Sequence, residues 1–272
     1  MFGKRTTRTR KARRMLALEP LEGRTLLNGD VSANWNPFIT GRLDINGDFS
    51  NPIANNKIEL FVVTKGGIDY LEVKGTLSIV PGSPPSIDAT TVNGVPFVDF
   101  TLSSVTDINI NLQNGNDAVK ISSLTGLTAP VTGYFPHNVT IVTGTGASTI
   151  TTTNLKLSGQ LTITEGNTTA GNGGDTVTLT NTTAGLVAVN TGTGGDTIKV
   201  DSGQIGTLNV NTGTATGSTK DSVTVQNFTP QLGRPVGIGQ MTITAPNGTT
   251  AINVNNTSLG GSTLLPPLMG FA

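Results

Sequence analysis

The chain has no cysteine, which excludes disulfide staples, thiolate metal sites and a cysteine nucleophile. Histidine is almost as scarce. His137 is the only one in 272 residues, so a Ser-His-Asp relay would rest on one imidazole in the turn-like segment Tyr134-Phe-Pro-His-Asn138. It reads as an exposed turn residue. Charged residues make up 12% and aromatic residues 4% of the sequence. Such low charge beside regularly placed β-branched residues opposes a disordered chain. The few aromatics, Trp35, Tyr70 and Tyr134 among them, are not spaced as a sugar-stacking platform, and Trp35 and Phe38 read as anchors of their segment on the first strands. No apolar run approaches the roughly 20 residues of a membrane-spanning helix.

The formal net charge is +0, and its distribution is uneven. Lys4, Arg5, Arg8, Arg10, Lys11, Arg13 and Arg14 supply seven of the 17 basic residues. From residue 15 onward ten basic residues stand against 17 acidic ones, a net of minus seven. Outside the tail there is no basic face to grip nucleic acid.

What the sequence has in abundance is glycine, 35 residues, with Thr, Asn, Val and Ile. It uses them in a repeat. Residues 187–200, Val-Ala-Val-Asn-Thr-Gly-Thr-Gly-Gly-Asp-Thr-Ile-Lys-Val, place Val187 and Val189 on one strand face and Ile198 and Val200 on another. Gly192, Gly194 and Asp196 supply the turn between the strands. The pattern returns as Ile110/Leu112 with Gly115, Asp117 and Val119/Ile121, and as Leu161/Ile163 with Gly171, Gly173, Asp175 and Val177/Leu179. Looser copies carry Ser148 or Asp221 at the aspartate position, and a last one keeps only Gly248. With Leu112, Ile141, Ile163, Val189, Val210 and Ile243 as markers, the copies are spaced by 29, 22, 26, 21 and 33 residues. No strand pair of this kind buries its apolar face alone, so the copies must stack. The expected fold is all-β: a β-solenoid or parallel β-helix of about six irregular coils with an N-terminal hairpin-rich β cap. The coils occupy residues 108–258, the lead-in residues 30–107, a flexible sorting segment residues 1–29 and an apolar C-terminal cap residues 259–272. Within the lead-in, residues 58–77 read as a hairpin turning at Lys65-Gly-Gly.

Stacking places Asp117, Asp175, Asp196 and Asp221 along one edge, about 4.8 Å apart if consecutive. Carboxylates so close repel one another, and two remedies follow. Calcium, which takes 6–8 oxygen ligands, would bridge them with turn carbonyls. Otherwise each aspartate bonds the backbone of its own turn. Lys120 and Lys199 are expected to face solvent. Asp44-Ile-Asn46-Gly-Asp48 starts with the acidic spacing of a calcium loop, but Phe49 stands where glycine is required and Asn55 where a bidentate carboxylate belongs, so it reads as an Asx-rich turn. The segments Gly171-x-Gly-x-Asp175-x-Val177 and Gly192-x-Gly-x-Asp196-x-Ile198 resemble the RTX, or hemolysin-type, calcium repeat, which implies calcium held between turns. That family's motifs run in tandem, whereas here one occurs per 21 to 33 residues.

The basic run leads into Leu18-Glu19-Pro20 and then Arg24-Thr25-Leu26-Leu27, which resembles the LEPR-XLL type of N-terminal segment of bacterial repeat proteins. The resemblance implies an exported, extracellular or cell-surface destination. The expected function is non-catalytic: a structural or adhesive surface protein whose Thr/Asn faces meet extracellular polysaccharide or another surface protein, stabilised by calcium if the aspartates bind it. The alternative is a β-helix lyase or hydrolase acting on extracellular polysaccharide, which needs a cluster of carboxylates in a cleft.

Overall fold

Alternation of buried β-branched and outward polar residues every second position dictates strands, and stacked repeats dictate how they pair. The computed structural model describes residues 27–36, 41–48, 55–80, 86–122, 137–167, 174–214, 220–228, 237–246 and 251–265. The protein is all β. Eighteen strands join one sheet, the single 3-10 turn is Leu102–Ser104, and no α-helix occurs among the described residues.

Two parallel ladders organise the sheet. The first stacks Arg42–Asn46, Asp107–Asn111, Asn138–Val142, Gln160–Thr164, the second halves of Thr176–Asn190 and Thr197–Asn211, then Ile238–Thr244 and Leu259–Leu265. The second stacks Lys57–Lys65, Ala118–Ser122, Thr149–Thr153, the first halves of the same two long strands, Ser222–Phe228 and Ala251–Thr257. A rung comprises one strand of each ladder and the turn between them. Pairing is in register throughout, so Ile110 lies against Ile141, which lies against Ile163, and Val189 against Val210. The parallel pairing begins at Arg42 and runs into Leu259–Leu265, on both sides of residues 108–258.

One register differs from the sequence reading. Ile108 and Ile110, not Ile110 and Leu112, match Val139 and Ile141. Leu112 enters the turn instead, at the position that Thr143 holds in the next rung, and is buried there. An apolar residue at a buried turn position mimics one more strand residue, which explains the shift of two. Asp44 and Asn46 also depart from expectation: they lie in a strand rather than a turn. Asp44 pairs with Arg42 at 2.8 Å and accepts a bond from Asn109 Nδ2 at 3.1 Å.

Antiparallel strands precede the second rung. Lys57–Lys65 and Ile68–Gly75 form the expected hairpin across Gly66 and Gly67, and Phe97–Thr101 joins its far side. Leu27–Asn36 pairs antiparallel with Arg42–Asn46 and parallel with Ser86–Val92. Trp35, expected as an anchor of its segment, lies in the strand Leu27–Asn36. It is 42% exposed, although its indole N–H donates to the Ser104 carbonyl at 3.0 Å. Phe38, Pro81, Tyr134, Gly171, Gly173, Gly217, Gly248 and residues 1–26 and 266–272 lie outside the described residues.

The core runs the length of the array. Val139, Leu161, Val187 and Leu208 continue one apolar file, and Val119, Ile150, Val177, Ile198 and Val223 another, all buried. Each fully buried member contributes on the order of 1.5–3 kcal/mol. At the end of the second ladder the chain bends through a left-handed residue: Asn154, Asn181, Asn227 and Asn256 have φ of 53°, 51°, 64° and 44°, and Ser202 63°. Asparagine tolerates this region better than most residues with a Cβ. Stacked asparagines also bond one another, Asn181 Nδ2 donating to Asn154 Oδ1 at 2.7 Å.

A glycine file precedes the first ladder. Gly159, Gly185, Gly206 and Gly239 follow one another, and a Cβ on Gly206 would overlap the Gly185 carbonyl oxygen. Gly206→Ala is therefore expected to destabilise by about 1–3 kcal/mol, since backbone has to move. Gly66→Ala, at a hairpin tip with nothing within 4 Å but a φ of 61°, should cost about 1–2 kcal/mol from strain alone. Urea denaturation checks both. A Gly206→Ala variant as stable as the native chain would mean that the rungs are not packed this closely.

Candidate functional site

Each turn from the first ladder to the second is entered and left by a buried residue. The entering residues form one file, Leu112, Thr143, Glu165, Thr191 and Thr212, whose backbone N–H groups bond the next rung's carbonyls. The leaving residues form a second file: Asn56, Asp117, Ser148, Asp175, Asp196 and Asp221. Both files face inward, so the aspartates do not line an outer edge.

The four predicted site residues share this second file. Asp117 Oδ1 accepts the Asn56 backbone N–H at 2.8 Å, Asp175 Oδ1 that of Ser148 at 2.8 Å, Asp196 Oδ1 that of Asp175 at 2.9 Å and Asp221 Oδ1 that of Asp196 at 3.0 Å. Each aspartate thus caps the rung before it rather than its own turn. The physical reason is geometric. At the turn exit the preceding rung's N–H points along the stack, where the carboxylate reaches it. Within its own turn Asp196 makes one further bond, accepting the Thr191 hydroxyl at 2.6 Å on Oδ2.

Burial sets the electrostatics. It pushes the Asp117 carboxyl up to about 7 against the two bonds from Asn56, and Asp175 up to about 7, opposed by the Ser148 N–H and reinforced by Asp196. Asp196 is raised as well by burial, against bonds from Thr191 and Asp175. Glu165, in the entering file, is pushed furthest, up to about 10, by burial and then by the charges of Asp175 and Asp196. Among the described residues neither Glu165 oxygen has a protein hydrogen-bond partner, nor does Asp117 Oδ2, Asp175 Oδ2, Thr143 Oγ1, Ser148 Oγ or Thr212 Oγ1. Glu165 is a site residue that motif reading missed, because the Gly-x-Asp pattern draws attention to the exit of the turn. The signal was its position two residues after Ile163, where three other rungs carry Thr143, Thr191 and Thr212.

Among the described residues no three Asp, Glu or His side chains gather as a metal centre. His137 is exposed and shares a 2.7 Å hydrogen bond with Ser158 Oγ. Lys120 and Lys199 face solvent as expected, paired with Glu59 at 2.7 Å and Asp201 at 3.3 Å. The outer face of the first ladder is different. Over five successive strands from Asn138 to Thr244 its outward residues are Asn, Thr, Val, Gln, Leu and Ala, without a charge. A groove of about 540 Å³ lies on it, lined by Thr162, Thr164, Asn190, Asn209, Asn211 and Thr244 among others.

The capping role separates two substitutions at Asp196. Asp196→Ala strands the Asp175 N–H and the Thr191 hydroxyl in the interior and should lower stability by about 1–3 kcal/mol for each group left unsatisfied. Asp196→Asn keeps the acceptor and removes a buried charge, and at neutral pH it should unfold no more readily than the native chain. Thermal unfolding of the two variants decides, and an Asn variant as damaged as the Ala variant contradicts the cap. No family model, curated protein or solved structure matches this chain.

Proposed function

We propose that the chain is a non-catalytic structural or adhesive β-solenoid of the cell surface or extracellular space, each rung being one of its coils. The observation that carries this reading is the in-register parallel pairing of equivalent positions, which from Ile110 onward recurs every 21 to 33 residues. Stacking of that kind builds an elongated body with long, flat, repetitive faces. An exported destination is supported by the resemblance of Leu18-Glu19-Pro20 and Arg24-Thr25-Leu26-Leu27 to LEPR-XLL segments.

The uncharged hydroxyl and amide groups around Thr164 and Asn211 support the adhesive part. They donate and accept hydrogen bonds without selecting a charge, which suits an uncharged, hydroxyl-rich partner such as a neutral extracellular polysaccharide. The charged outer face of the second ladder, with Lys120 and Lys199, suits it less.

The array does not require calcium in this proposal. Asp117 and Asp175 each commit one oxygen to a backbone N–H and keep one free, far below the 6–8 oxygens that calcium takes. Unfolding midpoints of the full chain are accordingly expected to be the same in millimolar calcium and in excess chelator. A calcium-dependent rise that Asp175→Asn abolishes would turn the file into a metal site.

Adhesion is tested by co-sedimentation with insoluble neutral polysaccharides and, in parallel, with acidic ones. Retention on a neutral polymer that salt does not weaken is the expected result. Thr164→Arg with Asn211→Arg should reduce that retention at least tenfold while leaving the unfolding midpoint in place. Retention on acidic polymers alone, or retention that the double variant keeps, would overturn the assignment of this face.

A further inference from the structure

Among the described residues, most of the buried polar side-chain atoms without a protein hydrogen bond lie together. Asp117 Oδ2, Thr143 Oγ1, Ser148 Oγ, both oxygens of Glu165, Asp175 Oδ2 and Thr212 Oγ1 belong to the two files that face each other across the turns. They form a polar seam inside an otherwise apolar array. Its members differ in kind from rung to rung. Thr191 and Asp196 close their rung with a hydroxyl-to-carboxylate bond of 2.6 Å. The rung entered by Glu165 and left by Asp175 has no such bond: it sets a second carboxyl group where its neighbours have threonine hydroxyls. Glu165 is only 2% exposed, Asp175 only 1%.

Among the described residues no cation balances ionised carboxylates at this place. The groups that act on Glu165 are Asp175 in its own rung and Asp196 in the next, both acidic. Across the seam in the preceding rung stand Thr143 and Ser148, which are neutral, and in the following rung Thr191. The basic side chains in ion pairs are spent on the outer surface, Lys120 on Glu59 and Lys199 on Asp201. A protonated carboxyl group, by contrast, is neutral and carries a donor, so it can bond the free oxygens of Thr143, Ser148 or Asp175 after a small adjustment.

We propose that the Glu165–Asp175 rung is a proton-operated latch: while Glu165 holds its proton the array is closed there, and when the proton passes to solvent Glu165 repels Asp175 in its own rung and Asp196 in the next, which loosens the contact between the two rungs. The latch divides the array between the rungs of Ile141 and Val189, so it releases the two ends from each other rather than fraying one.

The direction in pH follows from linkage. In the unfolded chain Glu165 loses its proton near 4.5, and in the folded one near 10. Over that interval the folded state holds the extra proton, so this contribution to stability is complete below pH 4.5 and is lost as pH rises toward 10. Asp117 and Asp175 act in the same sense between 3.8 and about 7. Asp201, whose pKa is lowered by Asn227, Gln226 and Lys199, acts oppositely from the surface.

The experiment is thermal unfolding of the full chain at pH 5, 7 and 9 and constant ionic strength, for the native protein and for Glu165→Gln. The native midpoint is expected to fall at each step. Glu165→Gln, whose amide N–H replaces the O–H donor of the protonated carboxyl group and cannot ionise, should lose most of the fall between pH 7 and 9, and Asp201→Asn should keep it. Glu165→Thr, the residue of the neighbouring rungs, serves the same purpose if the glutamine variant does not fold. A native midpoint that does not move, or an unchanged fall in both Glu165 variants, overturns the latch. So does restoration of the pH 9 midpoint by calcium chloride in the native chain alone, which assigns the seam to a metal ion. Carbon-13 titration of the Glu165 carboxyl group in the folded protein should show it protonated at pH 7, and an ionised signal there contradicts the proposal independently of stability.

Discussion

The backbone hydrogen bond between in-register parallel strands governs the rest of this molecule. It holds neighbouring strands about 4.8 Å apart and places each residue directly over its equivalent in the previous rung. Every position therefore has to be compatible with a copy of itself. β-Branched and leucine side chains are, since apolar surface packs on apolar surface. Asparagine is, because its amide both donates and accepts, as Asn181 over Asn154 shows. Glycine is, where the backbones come too close for a Cβ, as at Gly185 and Gly206.

Aspartate is the residue least suited to such stacking, and yet it recurs. The structure resolves the conflict by directing each carboxylate along the stack to the N–H of the rung before it, so that the stacked groups meet donors before they meet one another. Burial still raises their pKa values, which means that the capping bonds only partly replace water. Glu165 lies outside this arrangement, in the file of Leu112 and three threonines, and among the described residues neither of its oxygens accepts a hydrogen bond. The same stacking rule that makes the array regular therefore makes its one exception conspicuous.

Inside and outside divide the labour. Apolar files and capped carboxylates hold the rungs together, while the outward positions of the two ladders vary freely in composition: charged pairs on the second, hydroxyl and amide groups on the first. That division leaves a long uncharged face available without any cost to the core, and the proposed adhesive role draws on that face.

Much of this was legible in the chain itself. Val187, Val189, Ile198 and Val200 alternate because a half-buried strand requires it, and glycine with aspartate marks the turns because few other residues fit there. All-β structure, strand pairs, the Gly66-Gly67 hairpin and the solvent-facing Lys120 and Lys199 follow from such local rules. The rest depends on partners far away in sequence. Leu112 looks like a strand residue until Ile141 pairs with Ile110, and Asp44 looks like a turn until Asn109 lies beside it. Local rules likewise assign each aspartate to its own turn, but the N–H group it caps lies 21 to 61 residues earlier. The burial that raises Glu165 arises only when the turns of neighbouring rungs are stacked on it, so no window of sequence contains the cause. Sequence alone determined which positions point inward, whereas tertiary structure decided what they meet there, because contacts along the stack are made between rungs and not within them.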